Sequence, residues 1–185
     1  MEFYQEDDNR VLQDVIHWIV DVVVIIVLAL FFVHSYGSQI TLSGQSMAPA
    51  LAGGETVLVD QLSYHFIRPK RFDIIVFQKE GAPKTYIKRI IGLPGETIQI
   101  KNGRIYIDEL PLAGEETLLS VSLGGLAEQP VTLGEDEYFV LGDNRDSSED
   151  SRFANIGNVK LTDIQGKVWF RIQPLERIGF ITTKN

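Results

Sequence analysis

Cysteine is absent from the 185 residues, which excludes disulfides, thiol nucleophiles and thiolate metal sites. Histidine is scarce. Of three, His17 and His34 fall within or at the end of a long apolar run, and only His65 is left for the rest of the chain. A Ser-His-Asp triad needs a histidine. His65, in the context Ser63-Tyr64-His65-Phe66, reads as an ordinary surface or half-buried residue. There is no G-x-S-x-G elbow, no H-E-x-x-H helix and no Walker A loop. Positive charge is short as well: 17 Lys and Arg stand against 25 Asp and Glu, a net charge of −8. That balance argues against a nucleic-acid partner, which selects basic faces. It also argues against electrostatic docking on anionic lipid, so membrane contact is expected to be mainly hydrophobic.

Long apolar runs are confined to one place. The stretch from Val15 to Val33 holds 19 residues interrupted only by His17 and Asp21. As a helix it would reach about 28 Å, close to the hydrocarbon thickness of a bilayer. A buried core helix would show an apolar stripe, whereas here apolar residues cover every face. A cleavable signal peptide is the other reading: Val22–Val33 has the length of an h-region, and Ser35-x-Gly37 follows it. The preceding residues, Glu2, Glu6, Asp7, Asp8, Arg10 and Asp14, are mostly acidic, whereas a signal n-region is positive. An uncleaved anchor is therefore expected. His17 and Asp21 share a helix face and read either as a polar pair near the interface or as a relay or helix-pairing site. Arg10 is the only basic residue before the segment, and the next after it is Arg68. The positive-inside rule thus leans to a cytoplasmic N-terminus. The division expected is a tail over 1–13, a transmembrane anchor over 14–36 and a β-rich ectodomain over 37–185.

Beyond the anchor the pattern changes to short runs rich in β-branched and aromatic residues: Thr56–Asp60, Asp73–Phe77, Thr85–Ile91, Thr97–Ile100, Arg104–Ile107, Glu137–Leu141 and Lys167–Ile172. Leu93-Pro94-Gly95-Glu96 and Lys101-Asn102-Gly103-Arg104 punctuate them. Asn102-Gly103 between alternating strands predicts a tight hairpin, since both residues tolerate positive φ. The fold class expected is mainly β, an antiparallel sheet or partial barrel behind one N-terminal transmembrane helix. Ala113–Glu135, rich in Gly, Leu, Ser and Glu, reads as a small lobe or insertion, spanning about 108–136.

Three segments carry candidate chemistry. Ser43-Gly44-Gln45-Ser46-Met47-Ala48-Pro49 begins about ten residues after the anchor, close to the membrane surface. In Tyr86-Ile87-Lys88-Arg89-Ile90-Ile91-Gly92-Leu93-Pro94-Gly95-Glu96, strand alternation puts Tyr86, Lys88 and Ile90 on one face. Lys88 is then either a surface lysine whose stem covers apolar neighbours or an amine held in an apolar setting. Desolvation would lower the pKa of such an amine and let it take a proton from a serine hydroxyl. Gly142-Asp143-Asn144-Arg145-Asp146-Ser147-Ser148-Glu149-Asp150-Ser151-Arg152 reads as a solvated polar loop or as a network of Asp–Arg pairs and hydroxyls that orients a neighbour. Its spacing does not match an EF-hand, and its arginines would oppose a cation. With no triad histidine in place, a Ser-Lys dyad is the serine chemistry that remains.

Together the three segments resemble the signature boxes of the type I signal peptidase (leader peptidase) family, in the family's order behind an anchor. These boxes are Ser-Met-x-Pro, Tyr-Ile-Lys-Arg-x-x-Gly-x-Pro-Gly and Gly-Asp-Asn-Arg-Asp-x-Ser-x-Asp-Ser-Arg. The resemblance runs from the anchor to about Lys167; Ala113–Glu135 carries none of it. It implies a membrane-bound serine endopeptidase that removes signal peptides from exported preproteins after small-x-small sites, without metal or organic cofactor. It implies Ser46 as nucleophile, Lys88 as general base, and the Ser46 backbone N–H as an oxyanion donor. It implies Ser148 as a hydrogen-bond partner of the Lys88 amine, Asp150 and Arg152 as a pair, and Asp143 and Arg145 as supports of the third box. Leu42, Met47, Leu51, Tyr86 and Ile87 match positions lining shallow apolar substrate pockets. Signal peptides of preproteins, membrane lipid and the secretion translocon are the implied partners, and the plasma membrane the location, with the catalytic domain outside the cytoplasm.

Two departures stand out. Some family members carry a serine two residues before the nucleophile as a second oxyanion donor, where this chain has Gly44, as in the Gram-positive-like branch. The frequent Pro-Thr-Leu continuation is here Pro49-Ala50-Leu51. The SOS-repressor autoproteases, which also use a Ser-Lys dyad on a β scaffold, are disfavoured by the apolar N-terminus. A silent relative acting as a membrane-bound assembly factor would be expected to lose the dyad residues, which are both present.

Overall fold

The computed structural model describes residues 3–81, 83–114 and 121–181. It opens with one helix, α1 (Phe3–Tyr36, 34 residues). Valine and isoleucine are indifferent helix formers in water. In hydrocarbon, however, a helix is the one way a single segment can satisfy its own backbone. Its span Arg10–His34 is long and apolar enough to cross a membrane and has none of its surface buried against the protein. Nearly every large apolar side chain from Val11 to Val33 faces outward, so a core-helix role is excluded by packing.

The helix passes almost directly into the sheet. The Gly37 N–H closes onto the Val33 carbonyl at 2.9 Å, and β1 (Ser38–Thr41) begins at the next residue. The strands that follow are β2 (Thr56–Asp60), β3 (Ile74–Gln78), β4 (Thr85–Gly92), β5 (Thr97–Lys101), β6 (Arg104–Ile107) and β7 (Leu110–Pro111). Then come β8 (Val131–Thr132), β9 (Glu137–Leu141), β10 (Val159–Lys160), β11 (Ile164–Gln173) and β12 (Gly179–Phe180). The larger sheet runs β1-β2-β11-β3-β4-β9-β10 with β12 beside β11; the smaller runs β7-β6-β5-β8. All pairings are antiparallel. The fold is thus mainly antiparallel β behind a single N-terminal apolar helix.

The Asn102-Gly103 turn behaves as its residue types dictate. Both have positive φ, 51° and 78°, and Lys101 faces Arg104 across the hairpin, the geometry that matches strand twist in a two-residue loop. The strands missed from sequence are mostly two-residue pairings too short to carry a hydrophobic period, and four-residue β1.

The smaller sheet differs from the lobe expected over 108–136. It starts earlier, at β5, and its apolar residues are not a separate core. Ile98, Ile100, Ile105 and Ile107 pack in one cluster with Ile91, Phe139 and Leu141 of the larger sheet. The turn-rich composition after residue 108 marked a loop inside this sheet, not its edge. Part of that loop, residues 115–120, lies outside the described residues.

Candidate active site

β4 lies inside the larger sheet between β3 and β9 and is buried on both faces from Lys88 to Gly92, because apolar clusters pack over each face. Tyr86 and Ile90 join the cluster of Ile75, Phe77, Tyr138 and Val140. Ile87 packs with Leu42, Met47, Leu51 and Val57. Lys88, opposite Ile75 in register, is 3% exposed. Its Nζ donates a hydrogen bond to Ser46 Oγ at 2.9 Å. Burial pulls the Lys88 amine down to about 8. Asp150 draws it partly back up, Lys84 pushes it further down, and Glu149 and Arg152 act in those opposite senses more weakly. An amine neutral in mildly alkaline solution, 2.9 Å from a serine hydroxyl, can take that hydroxyl's proton.

Ser46 is half-buried in the turn between β1 and β2. That turn is fastened on several sides. The Leu51 N–H bonds the Met47 carbonyl, and Leu42 and Gly54 pair with Glu55 and Leu42 across its neck. Glu55, itself buried, forms salt bridges to Arg171 at 2.8 Å and Arg177 at 2.6 Å. Arg171 also donates to the Ala50 carbonyl, tying the turn to β11. From the other side the Asn144 N–H bonds the Ser46 carbonyl at 3.1 Å. The Ser46 N–H itself has no acceptor among the described residues, so it is free to meet a developing oxyanion. Gly44 has φ of +90° and open space where a Cβ would be. A serine there would have room but would strain the backbone.

The third segment is a braced loop, not a solvated one. Asp150 takes the Arg152 guanidinium at 2.8 and 3.0 Å and the Gly142 N–H at 3.0 Å. Arg152 goes on to donate to the carbonyls of Leu123 and Arg145. Asp143 binds Arg89 of β4 in a two-pronged pair, at 2.7 and 2.6 Å. Arg89 also holds the Phe72 carbonyl. Arg145 is 2% exposed, and its backbone lies inside this network.

Two expectations need correction. Ser148 is buried, but its Oγ has no hydrogen-bond partner among the described residues; the Lys88 amine donates to Ser46 instead. Ser148 Oγ lies against Gly142, 2.1 Å from where a Cβ on that glycine would stand. A cleft of about 480 Å³ runs past Ser46 and Lys88 and is walled by Leu42, Met47, Tyr86 and Ile87, but not by Leu51. Leu51 is fully buried in the core cluster behind that wall, because the Met47–Leu51 turn points it inward.

Sequence reasoning gave no role to Arg89, Gly142, or the Glu55–Arg171–Arg177 group. Arg89 and Gly142 stood inside the quoted segments, but their partners are 54 residues away and across a loop, respectively. Lys84 and Glu149 also line the cleft and pair at 3.0 Å across its mouth.

The family model described as signal peptidase, peptidase S26, matches residues 15–173. The chain belongs to that family. It is 40% identical over 143 residues to a signal peptidase I from Leptolyngbya laminosa, covering 73% of this chain and 68% of that protein. It is 39% identical over 174 residues to a signal peptidase I from Bacillus caldolyticus, covering 88% and 92%. A crystal structure of a signal peptidase I from Enterococcus faecalis is 33% identical, with a TM-score of 0.43 over 55% of this chain and 97% of that one. The matched span takes in the apolar helix, β4, the Ser46 turn and the braced loop together.

Proposed function

We propose that this chain is a membrane-anchored signal peptidase that cuts exported preproteins after small-x-small sites through a Ser46–Lys88 dyad. The observation that carries the reading is the 2.9 Å contact between the Lys88 amine and Ser46 Oγ in a cleft. Family membership and relatives named signal peptidase I support the same reaction.

Neutral Lys88 takes the Ser46 proton as Oγ attacks the scissile carbonyl. The Ser46 N–H donates to the oxygen that becomes negative; one such donor typically contributes about 3 kcal/mol. As the tetrahedral adduct collapses, the Lys88 ammonium returns its proton to the departing amine of the mature protein. Water, deprotonated by the same amine, then hydrolyses the Ser46 ester and frees the signal peptide. Leu42, Met47, Tyr86 and Ile87 form the apolar wall that favours small side chains before the cut. The Asp150–Arg152 and Asp143–Arg89 pairs hold the loop that supports Ser46, with Arg145 buried among them and Ser148 packed against Gly142. Anchoring concentrates the dyad where preproteins emerge. The arrangement across the plasma membrane that fits is a cytoplasmic N-terminus with the β domain outside, the translocon delivering substrate from the membrane.

The test is cleavage of an Ala-x-Ala peptide by the intact protein in detergent. The protein should cut after the second Ala, and Ser46→Ala and Lys88→Ala should be inactive while folded. An inert wild type at every alkaline pH would favour a non-enzymatic assembly role.

A further inference from the structure

On the side of the β domain where α1 leaves the membrane there is a second pocket, of about 390 Å³. Its position is fixed by Tyr36, the last residue of α1, and by Trp169 of β11. The Trp169 Nε1–H donates to the Tyr36 carbonyl at 3.3 Å. Tyr36 lies three residues past Val33, the end of the apolar run, a rise of about 4.5 Å. Headgroups occupy roughly the 5–8 Å outside each face of the hydrocarbon, so the pocket opens within the headgroup layer. Trp and Tyr are the residues that favour this level.

The pocket is charged and built. Three cationic side chains, Arg68, Lys70 and Lys167, line it with two carboxylates, Asp60 and Asp73. Both carboxylates are occupied from within. Asp73, 4% exposed, receives Lys167 at 2.6 Å, the Tyr64 hydroxyl at 2.9 Å and the Lys70 N–H at 3.0 Å. Burial and the Asp73 charge push Tyr64 well above the ordinary tyrosine range, so its hydroxyl stays a donor. Asp60 receives the Leu62 and Ser63 N–H groups and the Ser63 hydroxyl. The Arg68 and Lys70 side chains are left without a carboxylate partner among the described residues; Arg68 reaches only the Glu135 carbonyl, at 3.5 Å. Just before them, Phe66 and Ile67 are 81% and 57% exposed. Apolar tips followed by uncommitted cations is the order that a segment dipping into a bilayer presents, tips toward the acyl chains and charges at the phosphates.

We propose that this pocket binds the phosphate of an anionic membrane phospholipid, with Arg68 and Lys70 as the cations that receive it. A net charge of −8 repels an anionic surface as a whole, and this pocket is the local exception. A lipid held there would ground the β domain beside its anchor and keep the cleft turned to the membrane.

The test uses the intact chain with Trp18→Phe, which leaves Trp169 as the sole tryptophan. It is reconstituted in phosphatidylcholine bilayers containing increasing phosphatidylglycerol brominated near the headgroup end of its chains. Trp169 fluorescence should be half-quenched at a far lower mole fraction of this lipid than of phosphatidylcholine brominated in the same place. A cation near the membrane is worth about fivefold in lipid affinity. Arg68→Gln with Lys70→Gln should therefore raise the half-quenching fraction roughly 25-fold, while Lys101→Gln with Lys160→Gln, exposed and outside the pocket, should leave it unchanged. Thermal unfolding checks that each variant is folded, and no readout uses peptidase activity. Equal quenching by the two lipids, or equal shifts in the two double variants, would overturn the proposal. So would relief of quenching by added inorganic phosphate, which would make the pocket a soluble-anion site.

Discussion

Lys88 is the general base of the proposed dyad, and its environment sets two measurable pH dependences. Its amine is lowered to about 8 by burial, so cleavage should fall about tenfold per pH unit below that value and level off above it. A profile rising toward acid would overturn the dyad. In the unfolded chain the same lysine titrates near 10.5. Between about 8 and 10.5 the unfolded state binds a proton that the folded state lacks, so stability should rise with pH across that window and be flat in this term below it. Lys88→Met removes the buried amine. Thermal unfolding at about pH 7 and about pH 10 should then show the rise lost and the neutral-pH protein stabilised by up to about 3 kcal/mol. Period-two alternation placed Lys88 on the Tyr86–Ile90 face, and that much was legible in the sequence. Its depth was not, because the residues that cover that face of the sheet, Tyr138, Val140 and Ile156 among them, lie far along the chain, and no local pattern in β4 announces them. Ser148 was misjudged for a related reason: its loop could be recognised, but a hydroxyl's direction is decided by neighbours at ångström scale.

Where β9 runs into the braced loop, Gly142 leaves no room for a Cβ. A Cβ there would stand 2.5 Å from the Ser46 carbonyl as well as against Ser148, so Gly142→Ala must displace the Ser46 turn or the loop. A displacement of about 1 Å at a catalytic group costs on the order of 100-fold in rate. The expected outcome is a kcat lowered by about that factor with KM little changed, measured on the Ala-x-Ala peptide. The Arg89–Asp143 pair, with side chains 6% and 3% exposed, joins β4 to the same loop. Removing one partner strands a buried charge, so Arg89→Met should destabilise by about 3–5 kcal/mol. Arg89→Met with Asp143→Leu should recover most of that loss in thermal unfolding. A double variant no better than the single would show that the ion pair itself holds the loop. Strands with a clear β-branched run were readable within a residue or two, and β11, expected over 167–172, extends to Ile164–Gln173. Its extra residues, Ile164, Gln165, Gly166 and Gln173, draw their strand character from pairing with β2 and β3, a tertiary cause.

Across the whole chain the two sheets share a core while α1 shares none with them; the helix is exposed on all sides along Arg10–His34. The protein should accordingly remain with membranes through an alkaline carbonate wash and leave only with detergent. Release by carbonate alone would contradict the anchor. The apolar helix was plain in the sequence, since a 19-residue apolar run is a one-dimensional signal. The boundary of the smaller sheet was not, because Ile98 and Ile105 belong to it while packing against Phe139 and Leu141 of the larger one. The junction between helix and sheet carries one more consequence. Only Gly37 separates α1 from β1, and Trp169 grips the Tyr36 carbonyl from the far strand, so the helix has no slack with which to absorb a change in its surroundings. A bilayer thicker than the apolar run draws the ends of such a helix inward or makes it stand upright; a thinner one makes it lean. Here that adjustment passes straight into the sheet and changes how high Ser46 rides above the lipid. For the proposed dyad, acyl-chain length, with no contact to it, would thereby become a control on which peptide bonds come within reach.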